Sequence, residues 1–133
     1  MTVISMNEFE KWLEAYRDAW QSGDAQAAIE LFSDDAEYYE TPFDDPMVGR
    51  DAIQRYWSAG PEKSQQEVHF SHQAVAVVES KGLAQWQASF VRIPSGNQVE
   101  LDGFLAAKFD GTGKCSVFRE WWHRREREGS SSK

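Results

Sequence analysis

The chain is poor in cysteine and in basic charge, and it has no long apolar run. Its single cysteine, Cys115, excludes an internal disulfide. Lys114 and Ser116 flank that cysteine with no His-rich partner motif beside it, so it reads as a sheet residue rather than a nucleophile. Lysine and arginine total 14 against 22 acidic residues, and the formal net charge of -8 repels nucleic acid and anionic membranes over most of the surface. The one basic-looking stretch, His123 to Glu128, alternates arginine with glutamate and reads as a solvated end. No segment approaches the ~20 apolar residues of a membrane span. The opening Met1 to Trp12 turns polar too soon for a secretory h-region. The expected partners therefore include neither nucleic acid nor membrane, and the expected setting is a reducing compartment, the cytoplasm.

Aromatic residues are what the chain has in quantity: six Trp, eight Phe and four Tyr among 133 residues. Such a load is foreign to disordered chains, and the length fits one domain with a modest core. Residues 1–128 are expected to form that domain and 129–133 a flexible tail. Ser5 and Glu8 make a capping-box pattern, and Phe9, Trp12, Leu13, Tyr16 and Trp20 follow at helical spacing, which predicts a helix over 6–22. Gly23 ends it, and Asp24 caps a second helix expected over 25–32. A short extended piece over 37–40 and an irregular loop over 41–48 come next. Gly49 opens a third helix reaching Trp57, with Gly60-Pro61 as the stop.

From Glu67 onward the pattern changes to strands. Four strand-like segments (67–79, 83–93, 99–109 and 115–123) are joined by hairpin sequences such as Pro94-Ser95-Gly96-Asn97 and Asp110-Gly111-Thr112-Gly113. Three helices followed by an antiparallel meander make an α+β fold. Segments of this length reach about 33 Å, too long to lie flat under a small helical layer. The sheet must curl, and the aromatic first helix is the element for it to curl around, leaving a cone open at one end.

Alternation assigns the faces. Trp86, Ala88 and Phe90 share one face, as do Val99, Leu101, Leu105, Ala107 and Phe109, and both rows are expected inward with Asp102 outward. On the last strand Phe118, Glu120 and Trp122 share one face, and Val117, Arg119, Trp121 and His123 the other. One tryptophan therefore lines the cone while the other packs outside it, against a second copy.

The runs Tyr16 to Phe43, Gly49 to Ile53 and Leu101 to Lys114 resemble the nuclear transport factor 2-like superfamily, most of all its SnoaL-like branch and more distantly ketosteroid isomerase. The resemblance covers residues 7–124. It implies a strongly curved antiparallel sheet wrapped around three N-terminal helices, a cystatin-like cone, paired into a homodimer through the outer sheet face. In the ketosteroid isomerases an aspartate before a proline is the base, while a first-helix tyrosine and a protonated aspartate hold the enolate oxygen. Tyr16 matches that tyrosine, and Glu40 matches the base, with Thr41 inserted before Pro42. The position of the protonated aspartate reads as Leu105, and two supporting tyrosines read as Phe32 and Trp57. With that donor missing, steroid isomerisation is not expected. Neither a paired-histidine dehydratase pattern nor an Arg-x-Asp hydrolase pattern is present.

The expected catalytic set is Glu40, Tyr16 and Glu120. The expected ligand walls are Trp20, Trp57, Trp86, Phe90, Leu105, Phe118 and Trp122, enclosing a hollow above ~300 Å³ suited to a small hydrophobic, aromatic or polycyclic ligand. Each has a plainer reading. Glu40 ends an edge strand, where the inserted Thr41 can turn it into solvent, and Tyr16 and the other rings can simply be core. Glu120, if buried, needs a partner, either Arg92 or a proton of its own. His69 and His72 lie three apart on a strand and face opposite sides, so no metal site and no cofactor is expected. The alternative to an acid-base enzyme (isomerase, cyclase or lyase type) is a non-catalytic dimeric module with a filled cone.

Overall fold

The structure, a computed structural model, describes residues 3–129, so all but Gly129 of the tail expected over 129–133 lies outside the described residues. Helix α1 spans Met6–Ser22. Its capping box is formed: the Ser5 hydroxyl accepts from the Glu8 N–H at 3.0 Å, and the Glu8 carboxylate accepts from the Ser5 N–H at 2.8 Å. Gly23 closes the helix at φ 66°, a left-handed conformation that a side chain would strain. The buried face carries Phe9, Trp12, Leu13, Tyr16, Ala19 and Trp20, the stripe its spacing predicts.

Helix α2, Ala25–Ile29, is capped by Asp24, whose carboxylate accepts from the Ala27 N–H. It ends three residues before the expected Phe32, because the backbone is already committed to the sheet there. The Leu31 carbonyl accepts from the Cys115 N–H at 2.9 Å. Strand β1 then runs Phe32–Tyr39, longer than the extended piece expected over 37–40. The loop expected to be irregular over 41–48 ends in a two-residue strand, β2 (Met47–Val48), which pairs with Glu37 and Tyr38. Helix α3, Arg50–Trp57, passes into a single π-helical turn, Ser58–Glu62, that contains Pro61.

The meander forms as predicted, with β3 Gln65–Val78, β4 Lys81–Arg92, β5 Gln98–Phe109 and β6 Cys115–Arg127. The sheet has six strands rather than four, in the order β2-β1-β6-β5-β4-β3. It is not wholly antiparallel, because β1 lies parallel to β6. That pairing joins the two ends of the chain across the whole meander, so no hairpin fixes its direction and local patterning does not reveal it.

Curling brings the sheet onto α1 at positions that have no room for a side chain. A Cβ on Gly82 would sit 2.5 Å from the Phe9 ring of α1, and within the sheet itself one on Gly103 would sit 2.8 Å from the Trp86 ring of β4. Rings fill most of the cone. Trp12 stacks on Tyr16 at 5.4 Å between centroids, Phe118 lies 4.7 Å from Tyr38, and Trp86 stacks on Phe70 at 5.7 Å. Cys115 is buried, and burial pushes its thiol well above the ordinary range, which leaves it inert. Asp102 is outside, accepting from Gln87, and Trp121 is outside at 42% exposed. No helix among the described residues is long and apolar enough to cross a membrane.

Candidate functional site

One hollow remains unfilled, where α1, α3, the π-helical turn and the β1–β6 pair converge. Its volume is about 160 Å³. Tyr16 and Trp20 come from α1, Tyr56 and Trp57 from α3, and Gly60 and Pro61 from the turn. Gln65 enters from the start of β3, Tyr38 and Glu40 from β1 and its end, and Glu120 from β6. Two glutamates and three tyrosines therefore share one small space. The half-buried residues of the lining, Glu40, Tyr56, Gly60 and Gln65, form its mouth.

Glu120 is the buried member, at 6% exposed. Its Oε2 accepts from the Tyr38 hydroxyl at 3.5 Å, and the Tyr38 oxygen stands 3.2 Å from that of Tyr16. No cation faces it. Arg92, one of the two partners considered from sequence, pairs instead with Glu126 at 2.9 Å on the outside. Loss of hydration is the main cause that holds the Glu120 carboxyl well above the usual carboxylate range, with repulsion from Glu40 adding to it and the Tyr38 bond opposing it. Of the two options considered from sequence, the protonated carboxyl is the one that this upward shift favours. Its Oε1 has no hydrogen-bond partner among the described residues and, when protonated, can donate to an occupant of the hollow.

Glu40 has a different environment. It is half-buried, and its Oε2 accepts from the Tyr56 hydroxyl at 2.9 Å. The Trp122 indole N–H donates to its backbone carbonyl at 3.1 Å. These two bonds aim the side chain into the hollow, so the inserted Thr41 does not turn it away. Thr41 points elsewhere, donating to Asp44 in the following turn. Burial above all raises the hydroxyls of Tyr16, Tyr38 and Tyr56 well above the ordinary phenol range, so all three are donors and none is a base.

The structure thus brings together Tyr16, Trp20, Glu40, Trp57 and Glu120 of the expected set. Trp86, Phe90, Leu105 and Phe118 are buried core beyond the hollow, and Trp122 acts behind Glu40 rather than on an occupant. The hollow is about half the size expected, because those four core rings and side chains fill the cone that they were expected to line. Tyr38, Tyr56 and Gln65 were missed. Tyr38 had a readable signal, since it lies two residues before Glu40 and alternation puts both on one face. Tyr56 and Gln65 had none, because the first depends on the tilt of α3 and the second on its 2.7 Å bond to the Trp20 indole.

The register of β5 and β6 supplies a further correction. Leu105, which stands where the resemblance places a protonated carboxyl, is directly opposite Glu120. A buried carboxyl therefore stands one strand over from that position. A larger depression of about 680 Å³ lies on the outer sheet face, crossed by rows such as Ser71, Gln87, Asp102 and His123. It is open, and its polar row of Ser71, Gln87, Asp102 and His123 is exposed. Among the described residues no three His, Cys, Asp or Glu side chains converge as metal ligands.

Comparison with known proteins agrees with this architecture. The family model for the SnoaL-like domain matches residues 13–117. Among solved structures the epoxide hydrolase/cyclase-like enzyme SalBIII, described for its role in pyran ring formation in the polyether salinomycin, superposes with a TM-score of 0.77. The two share 19% identity over 88% of this chain and 92% of that one, a likeness that carries the fold alone. No curated protein matches. With a curled sheet wrapped around α1 and a family model that spans most of its length, the chain belongs to the SnoaL-like domain family of the nuclear transport factor 2-like superfamily.

Proposed function

We propose that the hollow is the active site of an acid-base enzyme of the isomerase type, moving a proton next to a carbonyl on a small molecule. The observation that carries this is a buried carboxyl, Glu120, beside a second, half-buried carboxyl, Glu40, in the same 160 Å³ space. Glu40 takes a proton from the carbon beside the carbonyl. The C–H electron pair becomes the C=C bond of an enol, and the carbonyl oxygen receives the Glu120 proton. Glu40 then carries the proton and Glu120 the charge; Glu40 returns a proton to carbon as the enol O–H gives its proton back to Glu120 and C=O reforms, which resets both. The Tyr38 hydroxyl, backed by Tyr16, stabilises the Glu120 carboxylate as it forms.

Size narrows the substrate. An apolar cavity of about 150 Å³ holds one benzene ring, so a steroid or other polycycle does not fit this hollow as it stands. A ring-sized ketone, or the reacting end of a longer one, does. The test is exchange of the α-protons of cyclohexanone in deuterated buffer, followed by NMR. The native protein should accelerate exchange over buffer, and Glu40→Gln and Glu120→Gln should each lower that rate about a hundredfold or more. Exchange at the buffer rate with all three proteins would remove the enzyme reading.

A second reading, a non-catalytic dimeric module, is favoured by the aromatic filling of most of the cone. Pairing of two copies through the outer sheet face belongs to both readings. It is supported by Trp121, 42% exposed beside its cross-strand neighbour Phe104.

A further inference from the structure

Gln65 stands at the mouth of the hollow with one end of its amide fixed and the other open. The Trp20 indole can only donate, so the amide atom 2.7 Å from it is Oε1. That bond sets the orientation of the amide and leaves Nε2, with its two N–H groups, as the free end. Nε2 has no hydrogen-bond partner among the described residues, and it is within reach of an incoming molecule. Gln65 is half-buried, whereas the side-chain atoms both unpartnered and shut away from any surface are the Trp57 and Trp86 indole nitrogens alone. No lysine, arginine or histidine lines the hollow, so Nε2 is its one open side-chain nitrogen donor among the described residues.

The neighbouring lining residue keeps that donor uncovered. A Cβ on Gly60 would have Nε2 as its only near neighbour beyond its own turn, at 3.8 Å. Gly60 and Gln65 both line the hollow, so the amide nitrogen stands at the lip they share. The two carboxyls are on the other side. Glu40 and Glu120 come from β1 and β6, whereas Gln65 is on β3, the edge strand three places from β6 in the sheet. Gln65 therefore meets them only across the hollow, which has room for about one six-membered ring. An occupant that pushes water from this mouth must offer Nε2 an acceptor or lose a hydrogen bond.

We infer that Gln65 is a substrate-binding residue that sets specificity, its Nε2 donating to a second oxygen of the molecule whose carbonyl meets Glu120. This rests on the reading of the hollow as a proton-transfer site and adds the substrate class. That class is a ring ketone with a further acceptor oxygen on the side away from Glu120. The second oxygen lies at the mouth, so a longer molecule continues from it into solvent.

The test uses 1,4-cyclohexanedione and 4-methylenecyclohexanone, ring ketones of one shape with O or CH2 opposite the reacting carbonyl. Exchange of the protons beside that carbonyl in deuterated buffer is followed by NMR, per proton and relative to buffer alone. The native protein should accelerate the dione about three- to tenfold more than the methylene compound, the worth of one hydrogen bond. Gln65→Glu keeps an oxygen for the Trp20 indole and removes the N–H donor, and Gln65→Met removes both. Each should bring that ratio to about one or below, which a general loss of structure would not do. The Gln65 side-chain amide protons, assigned by their nearness to the Trp20 indole, should shift with the dione and stay still with the methylene compound. If neither variant folds, that signal in the native protein decides. Equal acceleration of the two compounds with an unmoved amide would overturn the role of Gln65 and leave the proton-transfer reading standing. A preference for the dione that survives in both variants would do the same. Acceleration of neither compound would remove that reading and this inference with it.

Discussion

Replacing Glu120 with Gln should make the protein more stable, and by an amount that grows with pH. A glutamate in an unfolded chain loses its proton near the ordinary 4.5, whereas burial keeps Glu120 protonated in the native state well above that. Below pH 4.5 both states hold the proton and the residue contributes no pH dependence. Above it the native state binds more protons than the unfolded state, so stability falls as pH rises, by about 1.4 kcal/mol per unit. The fall continues until the folded-state value is passed. If the carboxyl is still neutral at pH 7, the accumulated loss is about 3 kcal/mol, a large part of the stability of a small domain. Glutamine keeps the size and a donor but does not titrate, so Glu120→Gln avoids the loss. Urea unfolding of both proteins from pH 4 to 8 measures it. A stability difference that widens steadily in favour of the variant between pH 5 and 7 is expected. A flat difference would mean that Glu120 ionises as freely when folded as when unfolded, and the acid-base reading would fail with it.

Tyr38→Phe should cost about 1–3 kcal/mol in the same assay, because it takes a partner from both Tyr16 and Glu120. It should also push the Glu120 carboxyl still higher, since the Tyr38 bond now works against protonation, and the pH-dependent fall in stability should extend further. Gly82→Ala should destabilise by about 1–3 kcal/mol through collision with the Phe9 ring, visible as a lower urea midpoint with an unchanged slope. Trp121→Glu should weaken self-association by about tenfold or more in sedimentation velocity while leaving the far-ultraviolet spectrum intact; an unchanged sedimentation coefficient would place any dimer contact elsewhere.

Local signals carried the helices, the meander and its faces, because each depends on spacing within one segment. Ser5 with Glu8, Gly23, and the Phe9-to-Trp20 stripe are short-range facts that the folded chain keeps. The β1–β6 pairing was not legible, since it joins Phe32 to Cys115 across most of the chain. The site was legible in part for the same reason. Tyr16 and Glu120 stood out as polar groups on apolar faces, and Glu40 was marked by the resemblance. Which rings fill the cone and which leave it open depends on the curl of the sheet, and that is why Trp86, Phe90, Leu105 and Phe118 turned out to be packing. That Glu120 stands directly opposite Leu105 could be seen only once strand register was known.

The central claim is that Glu120 holds a proton at neutral pH inside a hollow open to a ligand. Carbon-13 NMR of protein labelled at the glutamate side-chain carboxyls, with Glu120 assigned by the resonance missing in Glu120→Gln, reads that proton directly. The account predicts that the Glu120 resonance stays at its protonated position from pH 4 through 7 while the exposed glutamates titrate around it. A midpoint near 4.5, moving with the rest, would contradict it.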